Sequence, residues 1–477
     1  MRRTFAILIV TLAALSLIAG RMQRPQDHKL VWISDDNPRR KEQIELFDQE
    51  QEAGNLDSRR SGAPHFRRGV KLDPNNGGME KVIVQSIGGV GSDLFDCYDQ
   101  KSLSAYVRSG VALDVTQALK ERGISMDDVW PGVKPCFVYD GHAYGMPCNA
   151  CVDTLWINRD LFERAHIPIP ESKPVTWADF LRLAHRMTVK DSDGRTVQYG
   201  FLADWPSLWQ TCLIQWGGHV FSQDGTRCLL DSPEAIAGVQ FAHDLIYKEH
   251  VMPTPIEEAS LSGQGGWGQG TLKWFGAGKG ATALGGRWWL CTLRDQTHPV
   301  QDGVAVQPTL RLTTVESPHG PLRVFRGYGR ATLVNAVGPH PQEAIDFLVY
   351  LSRKPYNDLV NRQADALAPI RKFCNTPEFL SNARYPEEDY NGVFRDVMDA
   401  AVPEETSLFA DGQVVNQILT VQLDLVKTDQ KPVAAALHTA RVKIEEEMQR
   451  MIAADPTLKR RYETLVSRNE KTQVRAR

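Results

Sequence analysis

Three contact-rich side chains stand in a row within residues 285–290, which read GGRWWL. Arg287 can donate several hydrogen bonds, and Trp288 and Trp289 each offer a flat apolar face. The segment follows an apolar run of small residues and is predicted to be a strand, in which consecutive side chains point to opposite faces. One tryptophan is therefore expected to pack inside the protein and the other to face a ligand. A strand that serves packing alone is the alternative.

Other patterns that could carry chemistry are incomplete. Residues 276–280 read GAGKG, but a phosphate-binding loop needs Gly where Lys273 stands and Ser or Thr where Gly280 stands. Asp35 and Asp36 are adjacent on an extended segment, so their carboxylates diverge and cannot form the convergent pair of a glycosidase. Neither H-E-x-x-H nor G-x-S-x-G occurs. No catalytic residue, metal site or cofactor is therefore predicted.

Eight cysteines include Cys148 and Cys151, whose spacing is that of a redox or metal-binding pair. No second pair of ligands has the spacing that a zinc site needs. Structural or unpaired thiols are the first interpretation. A local disulfide and redox chemistry are the two alternatives.

The length of 477 residues exceeds what one ordinary core accommodates, so two large lobes are expected. The formal net charge of −3 gives no electrostatic reason to expect a nucleic acid partner. Residues 1–20 combine two arginines with an apolar stretch, which indicates an export signal. The pattern before Gly20 is a poor cleavage site, so both a cleaved signal peptide and a retained N-terminal anchor stay open.

Local patterns predict alternating strands and helices, as in an α/β protein. A strand is predicted at residues 28–33, and Asp140-Gly141 predicts a hairpin turn. Thr176 is expected to cap an amphipathic helix, and residues 341–351 form another helix. The last 90 residues are mostly helical and end in a polar basic tail at 461–477.

Five segments in this order resemble the extracellular solute-binding proteins of ABC importers, closest to the sugar-binding, maltose-binding-protein-like branch. They are LVWISDDNPRRKEQIELFDQE, VQSIGGVGSDLFDCYD, GHAYGMPCNACVDTLWINRDLFERAHIPIP with VTWADFLRLAHRMT, GGRWWL, and YGRATLVNAVGPHPQEAIDFLVYLS. The resemblance covers roughly residues 28–375. It implies the two-lobed α/β fold of periplasmic binding proteins, class II-like, with hinge strands and a helical C-terminal part. The first lobe is expected at 28–139 plus 328–375, and the second at 140–327 plus 376–460.

The resemblance also implies a non-catalytic receptor that captures a carbohydrate, expected to be an oligosaccharide, by lobe closure and delivers it to the membrane permease of an ABC importer. The protein is expected to be a monomer in the periplasm or on the outer face of the cytoplasmic membrane. A carbohydrate-active hydrolase or lyase and a ligand-sensing module are the alternative functions. A peptide, glycerol phosphate or polyamine is the alternative ligand.

On this interpretation Trp288 faces the ligand and Trp289 packs in its lobe. The physical argument is that an indole covers the apolar face of a sugar ring while polar side chains bind its hydroxyls. The residues expected to bind the ligand are Asp35, Asp36, Asp96, Tyr98, Asn149, Asp153, Trp205, Trp267, Arg287, Trp288 and Tyr328.

Overall fold

The computed structural model describes residues 29–54, 56, 69–74, 78–170, 174–261, 270–297, 300–301, 304–305, 310–318 and 325–476. The predicted leader at 1–20 and the predicted ligand residue Trp267 lie outside the described residues. Among the described residues, none of the helices combines the length and apolar character needed to cross a bilayer.

Strands and helices alternate along the chain. The strands are β1 (Leu30–Ser34), β2 (Val70–Pro74), β3 (Leu94–Cys97), β4 (Val138–Tyr139), β5 (His142–Ala143), β6 (Gly145–Cys151), β7 (Asp153–Asn158), β8 (Val189–Lys190), β9 (Thr196–Leu202), β10 (Gly280–Gly286), β11 (Val300–Gln301), β12 (Val304–Ala305), β13 (Leu312–Val315) and β14 (Tyr328–Val334). The helices are α1 (Arg40–Glu52), α2 (Gly78–Ile87), α3 (Gln100–Arg108), α4 (Thr116–Glu121), α5 (Arg159–Arg164), α6 (Trp177–Met187), α7 (Trp205–Gln215), α8 (Pro233–Tyr247), α9 (Pro255–Leu261), α10 (Thr271–Gly276), α11 (Leu290–Thr297), α12 (Pro341–Leu351), α13 (Lys354–Gln363), α14 (Pro377–Leu380), α15 (Asn391–Asp399), α16 (Gly412–Lys427), α17 (Val433–Ala454) and α18 (Pro456–Ala476).

The first lobe is built on a five-stranded sheet in the order β2-β1-β3-β14-β6. The strands β1, β2 and β3 run parallel, and β14 returns antiparallel between β3 and β6. Every residue of β3 is buried, as expected for a strand covered on both faces. Trp32 of β1 and Phe347 of α12 pack with ring centroids 5.1 Å apart, which anchors α12 to this sheet.

The second lobe is built on the sheet β13-β7-β10-β9-β8. Alternation along β7 sends Leu155 and Ile157 into a core shared with α6, α7, α8, α16 and α17. Trp156 points to the opposite face, where it packs against Tyr390 and Phe394 beside and within α15. The helices of the C-terminal part thus cover both faces of the second sheet.

The chain passes from the first sheet to the second at Val152, because β6 belongs to the first and β7 to the second. The boundary predicted between residues 139 and 140 therefore precedes β6, which still belongs to the first sheet. The chain returns to the first sheet at β14. The strands that flank these two crossings correspond to the hinge strands expected from the resemblance.

Residues 287–289 correct one prediction, because they form a turn of 3₁₀ helix and not a strand. The strand β10 ends at Gly286, and the chain then folds back on itself. A Cβ at Gly285 would lie 2.4 Å from the indole of Trp289, so the missing side chain makes room for that ring. The two tryptophans still diverge: Trp289 is 1% exposed and Trp288 is partly exposed.

The predicted polar, basic tail continues the helix α18 through residues 461–476. Leu458, Tyr462 and Leu465 recur at helical spacing and pack against the core of the second lobe. The ring of Tyr462 lies 5.2 Å from that of Phe409. This apolar stripe explains why a strongly charged segment forms an ordered helix.

All eight cysteines are free and buried, so the disulfide alternative is wrong in this structure. Cys148 and Cys151 lie on β6, and Cys148 Sγ is 2.9 Å from Thr332 Oγ1. Burial raises the pKa of the Cys148 thiol to about 12, which keeps it protonated at neutral pH.

Candidate ligand-binding site

Several predicted residues lie at one edge of the first sheet. The parallel strands β1 and β3 end at this edge, and Asp35, Asp36 and Tyr98 follow them. Asp36 is exposed and Tyr98 is 45% exposed, which leaves both side chains accessible. Asp35 is instead engaged by the buried Arg40, whose Nε lies 2.7 Å from its carboxylate.

Asp96 is saturated by contacts inside the first lobe. Its two oxygens accept hydrogen bonds from four side chains, those of Trp32 (2.9 Å), Ser34 (2.5 Å), Arg330 (2.5 Å) and Thr332 (2.7 Å). Asn149 Oδ1 accepts from the backbone N–H of Arg330 at 3.0 Å, and Asn149 is buried. The side chains of Asp96 and Asn149 therefore join β14 to its neighbouring strands, and the proposed ligand set excludes both residues.

Arg287 is likewise committed to the protein. It is 2% exposed, and its nitrogens donate to Asn391 Oδ1 (2.8 Å), Ala366 O (2.7 Å) and Asn361 O (3.0 Å). Burial and the neighbouring cation Arg294 lower the pKa of its guanidinium to about 10. The expectation that Arg287 contacts the ligand arose from its sequence neighbours, whereas its side chain turns into the packing of α13 to α15.

Three other predicted residues form one connected group. Trp288 Nε1 donates to Tyr328 Oη at 3.2 Å, and Tyr328 Oη donates to Asp153 Oδ1 at 2.6 Å. Burial raises the pKa of the Asp153 carboxyl, against the lowering effect of the Tyr328 hydrogen bond and of Arg326. Asp153 and Tyr328 line a small cavity of about 10 Å³ together with Ser207, Gln210, Thr211, Phe325 and Arg326.

A larger cavity of about 210 Å³ lies between the lobes. Its first-lobe wall is one face of α3, and its second-lobe walls are α7, α16 and the segment 403–410. Trp205 and Trp209 are one helical turn apart, so both present their rings on the same face of α7. Gln210 and Arg326 line both cavities, which makes the two cavities parts of one cleft.

Two polar atoms in this wall have no hydrogen-bond partner among the described residues. They are Nε1 of Trp205, a donor, and Oε1 of Gln210, an acceptor, and both atoms are buried. A buried polar group without a partner costs about 1–3 kcal/mol, so such groups are uncommon in folded proteins. Trp205 and Gln210 line the cavity, and these two atoms are themselves covered by the surrounding protein.

Arg326 and Glu404 are cleft residues that the sequence analysis did not single out. Burial raises the pKa of the Glu404 carboxyl, and the nearby Arg326 guanidinium opposes that shift. Arg326 thus interacts electrostatically with two partly buried carboxyls, those of Asp153 and Glu404. Neither residue belongs to a motif, and no periodicity marks either one, so the sequence carried no signal for them.

Polar contacts join the lobes at the rim of the cleft. Arg108 of α3 pairs with Asp411 at 2.9 Å, and Lys101 donates to Asn416 of α16 at 3.1 Å. The structure therefore has the lobes in contact beside the cavity. The described residues contain no group of three or more His, Cys, Asp or Glu placed to hold a metal ion.

The chain is similar to known proteins in sequence and in fold. A family model for bacterial extracellular solute-binding proteins matches residues 69–358. An arabinooligosaccharide-binding protein of Halalkalibacterium halodurans is 24% identical over 214 residues, which are 45% of this chain and 44% of that protein. The chain therefore spans less than half the length of this curated relative.

Two solved structures share the fold over most of the chain. An ABC substrate-binding protein of Listeria monocytogenes in complex with cycloalternan gives a TM-score of 0.71 at 16% identity, covering 88% of this chain and 99% of that one. UgpB of Mycobacterium tuberculosis in complex with glycerophosphocholine gives 0.69 at 13% identity, covering 89% and 99%. At these identities the likeness establishes the two-lobed fold.

Proposed function

Because this chain belongs to the bacterial extracellular solute-binding proteins, we propose that it is a receptor that captures a carbohydrate and delivers it to an ABC importer. The proposed ligand is an oligosaccharide, bound in the cleft between the lobes. The receptor carries out no reaction on it. The sugar named for the curated relative and the cycloalternan bound by the structural neighbour support this ligand class.

The observation that carries the proposal is the wall formed by α7. It combines two indole rings with a buried donor on Trp205 and a buried acceptor on Gln210 that lack partners among the described residues. A pyranose offers an apolar C–H face for an indole and a rim of hydroxyls for the polar side chains of the cleft. Asp36, Tyr98, Asp153, Trp288, Tyr328, Arg326 and Glu404 complete the proposed contact set.

A thermal-shift screen against free oligosaccharides tests the ligand class. Arabinotriose, maltotriose and glycerophosphocholine are the three key probes, because a ligand that binds only the folded state raises the melting temperature. We expect an oligosaccharide to give the largest shift. A shift with glycerophosphocholine and none with any oligosaccharide would overturn the carbohydrate assignment while leaving the receptor assignment intact.

Substitutions of Trp205 separate its ring from its donor. Trp205→Ala should weaken sugar binding roughly 5- to 150-fold, from about 1–3 kcal/mol of lost apolar contact. Trp205→Phe keeps an aromatic ring, removes the N–H donor and should cost only about 0.5–1.5 kcal/mol. The matched control is Trp216→Ala, because Trp216 stacks on Phe241 at 4.7 Å inside the second lobe. The control should lower stability and leave the Kd unchanged.

Closure of the lobes on the ligand is the second part of the proposal. Small-angle scattering should show a smaller radius of gyration in the presence of the sugar than in its absence. A sugar that binds by calorimetry without altering the scattering curve would count against closure. Incubation of the same sugar with the protein, followed by chromatography, separates a receptor from a hydrolase or lyase, because an enzyme would return shorter products.

The proposed location is the periplasm or the outer face of the cytoplasmic membrane, with residues 1–20 as signal peptide or anchor. The proposed partner is the membrane permease of the importer. Fractionation of cells that express the full chain, with and without residues 1–20, distinguishes a retained anchor from a cleaved signal. An anchored protein stays with the membrane after a salt wash, and a cleaved one appears in the soluble exported fraction at a lower mass.

A further inference from the structure

The larger cavity continues away from the cleft as a groove between two helices. The first turns of α7 lie at the crossing between the lobes, where Ser207 shares the small cavity with Asp153 and Tyr328. The helix α16 begins beside the first lobe, since a Cβ at Gly412 would lie 2.9 Å from Lys101 Cα. Both helices therefore start at the cleft and run into the second lobe.

The walls of this groove are apolar. On α7 the ring of Trp209 is followed one turn later by Leu213, with Ile214 beside it. On α16 the lining residues Val415, Leu419 and Leu423 recur every four residues, which places them on one face of the helix. Other apolar lining comes from Val220, Phe221, Leu408 and Ala410.

Polar lining residues come from α3, from the exposed side of α16 and from the segment 403–410, which contributes Glu404, Glu405, Thr406 and Ser407. Its first-lobe end carries Gln100, Lys101, Ser104 and Arg108 of α3. On α16 the polar lining residues Asn416, Thr420 and Asp424 are exposed, which places them at the rim. The buried lining farther along α7 and α16 consists of the aliphatic side chains of Leu213, Val415 and Leu423.

An aliphatic wall is a poor surface for a bare sugar. Hydroxyls pressed against it would lose hydrogen bonds to water without replacement, which is unfavourable. An alkyl, acyl or aryl group loses nothing and gains the burial of its own apolar surface. The groove spans about 12 Å along α16 from Val415 to Leu423, at about 1.5 Å per residue. It is therefore long enough for a chain of several carbons.

We propose that the natural ligand is a glycoconjugate, a sugar that carries an apolar substituent, with the sugar in the cleft and the substituent in the groove between α7 and α16. This inference rests on the proposed function and adds to it the chemical class of the ligand. The argument for this occupant is continuity, because the groove and the sugar wall share Trp205, Trp209 and Gln210.

The test compares glycosides that differ only in the substituent. Methyl and octyl glycosides of maltose and of arabinobiose are titrated calorimetrically into the intact protein, below the critical micelle concentration of the octyl compounds. We expect the octyl glycoside to bind at least tenfold more tightly than the methyl glycoside in at least one pair. Equal or weaker binding of the octyl compound in both pairs would overturn the inference.

Two variants locate the substituent. Leu419→Gln and Ile214→Gln place a polar amide on opposite walls at partly exposed positions, so either one suffices if the other fails to fold. The octyl advantage is the ratio of the affinity for the octyl glycoside to the affinity for the methyl glycoside. Each variant should lower this ratio at least fivefold without changing the affinity for the methyl glycoside. The matched control is Val421→Gln, on the same helix, 50% exposed and outside the groove lining. An octyl advantage that survives both groove variants would also overturn the inference.

The two proposals fail in distinguishable ways. If free oligosaccharides bind and octyl groups add no affinity, the receptor for a carbohydrate stands and the apolar substituent is wrong. If no free sugar and no glycoside binds, the carbohydrate receptor itself is wrong and the glycoconjugate with it.

Discussion

The hydroxyl of Tyr328 donates a 2.6 Å hydrogen bond to Asp153 across the crossing between the two lobes. Tyr328 is the first residue of β14 in the first sheet, and Asp153 is the first residue of β7 in the second. Trp288 adds a donor to the same hydroxyl at 3.2 Å. A partly buried carboxyl group therefore lies where the chain crosses between the two lobes.

Replacement of Asp153 by Asn should stabilise the protein at neutral pH. Burial raises the folded-state pKa of this carboxyl above its ordinary value of 3.8, so the folded state holds the proton more tightly than the unfolded state. The contribution of Asp153 to wild-type stability then falls as the pH rises from about 3.8 through the raised pKa. The amide of Asp153→Asn does not ionise, so the variant does not lose this stability as the pH rises.

Melting curves from about pH 3.5, near the ordinary Asp pKa of about 3.9, up to about pH 8 measure the effect. The difference in Tm between Asp153→Asn and wild type should be small at the acid end and grow to a positive plateau. Asp127→Asn is the control, because the Asp127 side chain is 95% exposed. A difference that is constant across the whole range would contradict the assignment of the effect to burial of the charge.

Trp288 and Trp289 should give opposite phenotypes. Trp289 is fully buried with its ring 5.8 Å from that of Phe275, so Trp289→Ala should cost about 3–5 kcal/mol of stability. Trp288 is partly exposed beside Tyr328, so Trp288→Ala should weaken sugar binding by about 1–3 kcal/mol with a smaller effect on Tm. Calorimetric titration and thermal melting of both variants check this. If Trp289→Ala weakens sugar binding and Trp288→Ala lowers stability, then Trp289 and not Trp288 contacts the ligand.

The sequence predicted those helices and turns that depend on the residues of one short segment alone. Thr176 caps α6 by accepting from the backbone N–H of Asp179 at 3.1 Å, and Asp140-Gly141 adopts positive φ at a hairpin turn. The helix α12 spans the predicted residues 341–351. The turn at 287–289 could not be foreseen, because it depends on an indole folding back over Gly285 rather than on alternation.

The candidate site was harder to predict because its residues meet across long stretches of chain. Asp96 and Arg330 are 234 residues apart, and nothing in either segment shows that they pair. The groove residues Val415, Leu419 and Leu423 recur with a helical period, a pattern that equally describes a stripe facing the core. Their role as a cavity wall became visible only with α7 placed opposite.

Asp96 should matter for stability rather than for ligand contact. Removal of its carboxylate leaves the buried Arg330 without its ion-pair partner, so Asp96→Ala should lower the free energy of unfolding by about 3–5 kcal/mol. Denaturant unfolding followed by circular dichroism measures this loss. The double variant Asp96→Ala with Arg330→Met should recover part of this stability. If folded Asp96→Ala protein instead binds the sugar much more weakly than wild type, Asp96 belongs in the ligand set after all.

The cysteines should be inert in the folded protein. Thiolate is the reactive form, and burial raises the pKa of both the Cys148 and Cys151 thiols. An aromatic disulfide reagent should therefore label no thiol quickly under native conditions and all eight after denaturation. Replacement of Cys148 and Cys151 by Ser should leave sugar binding nearly unchanged. Rapid native labelling of Cys148 or Cys151 would revive redox chemistry for this pair.

The position of β14 between β3 and β6 bears on the order in which a newly exported chain can assemble. All five strands of the second sheet lie between residues 153 and 315, whereas β6 pairs within the first sheet only with β14, which ends at residue 334. A chain that emerges N-terminus first can therefore complete the second sheet while the first is unfinished. During that interval Gly145–Cys151 is an unpaired strand edge, and such edges are the places where chains pair wrongly with one another.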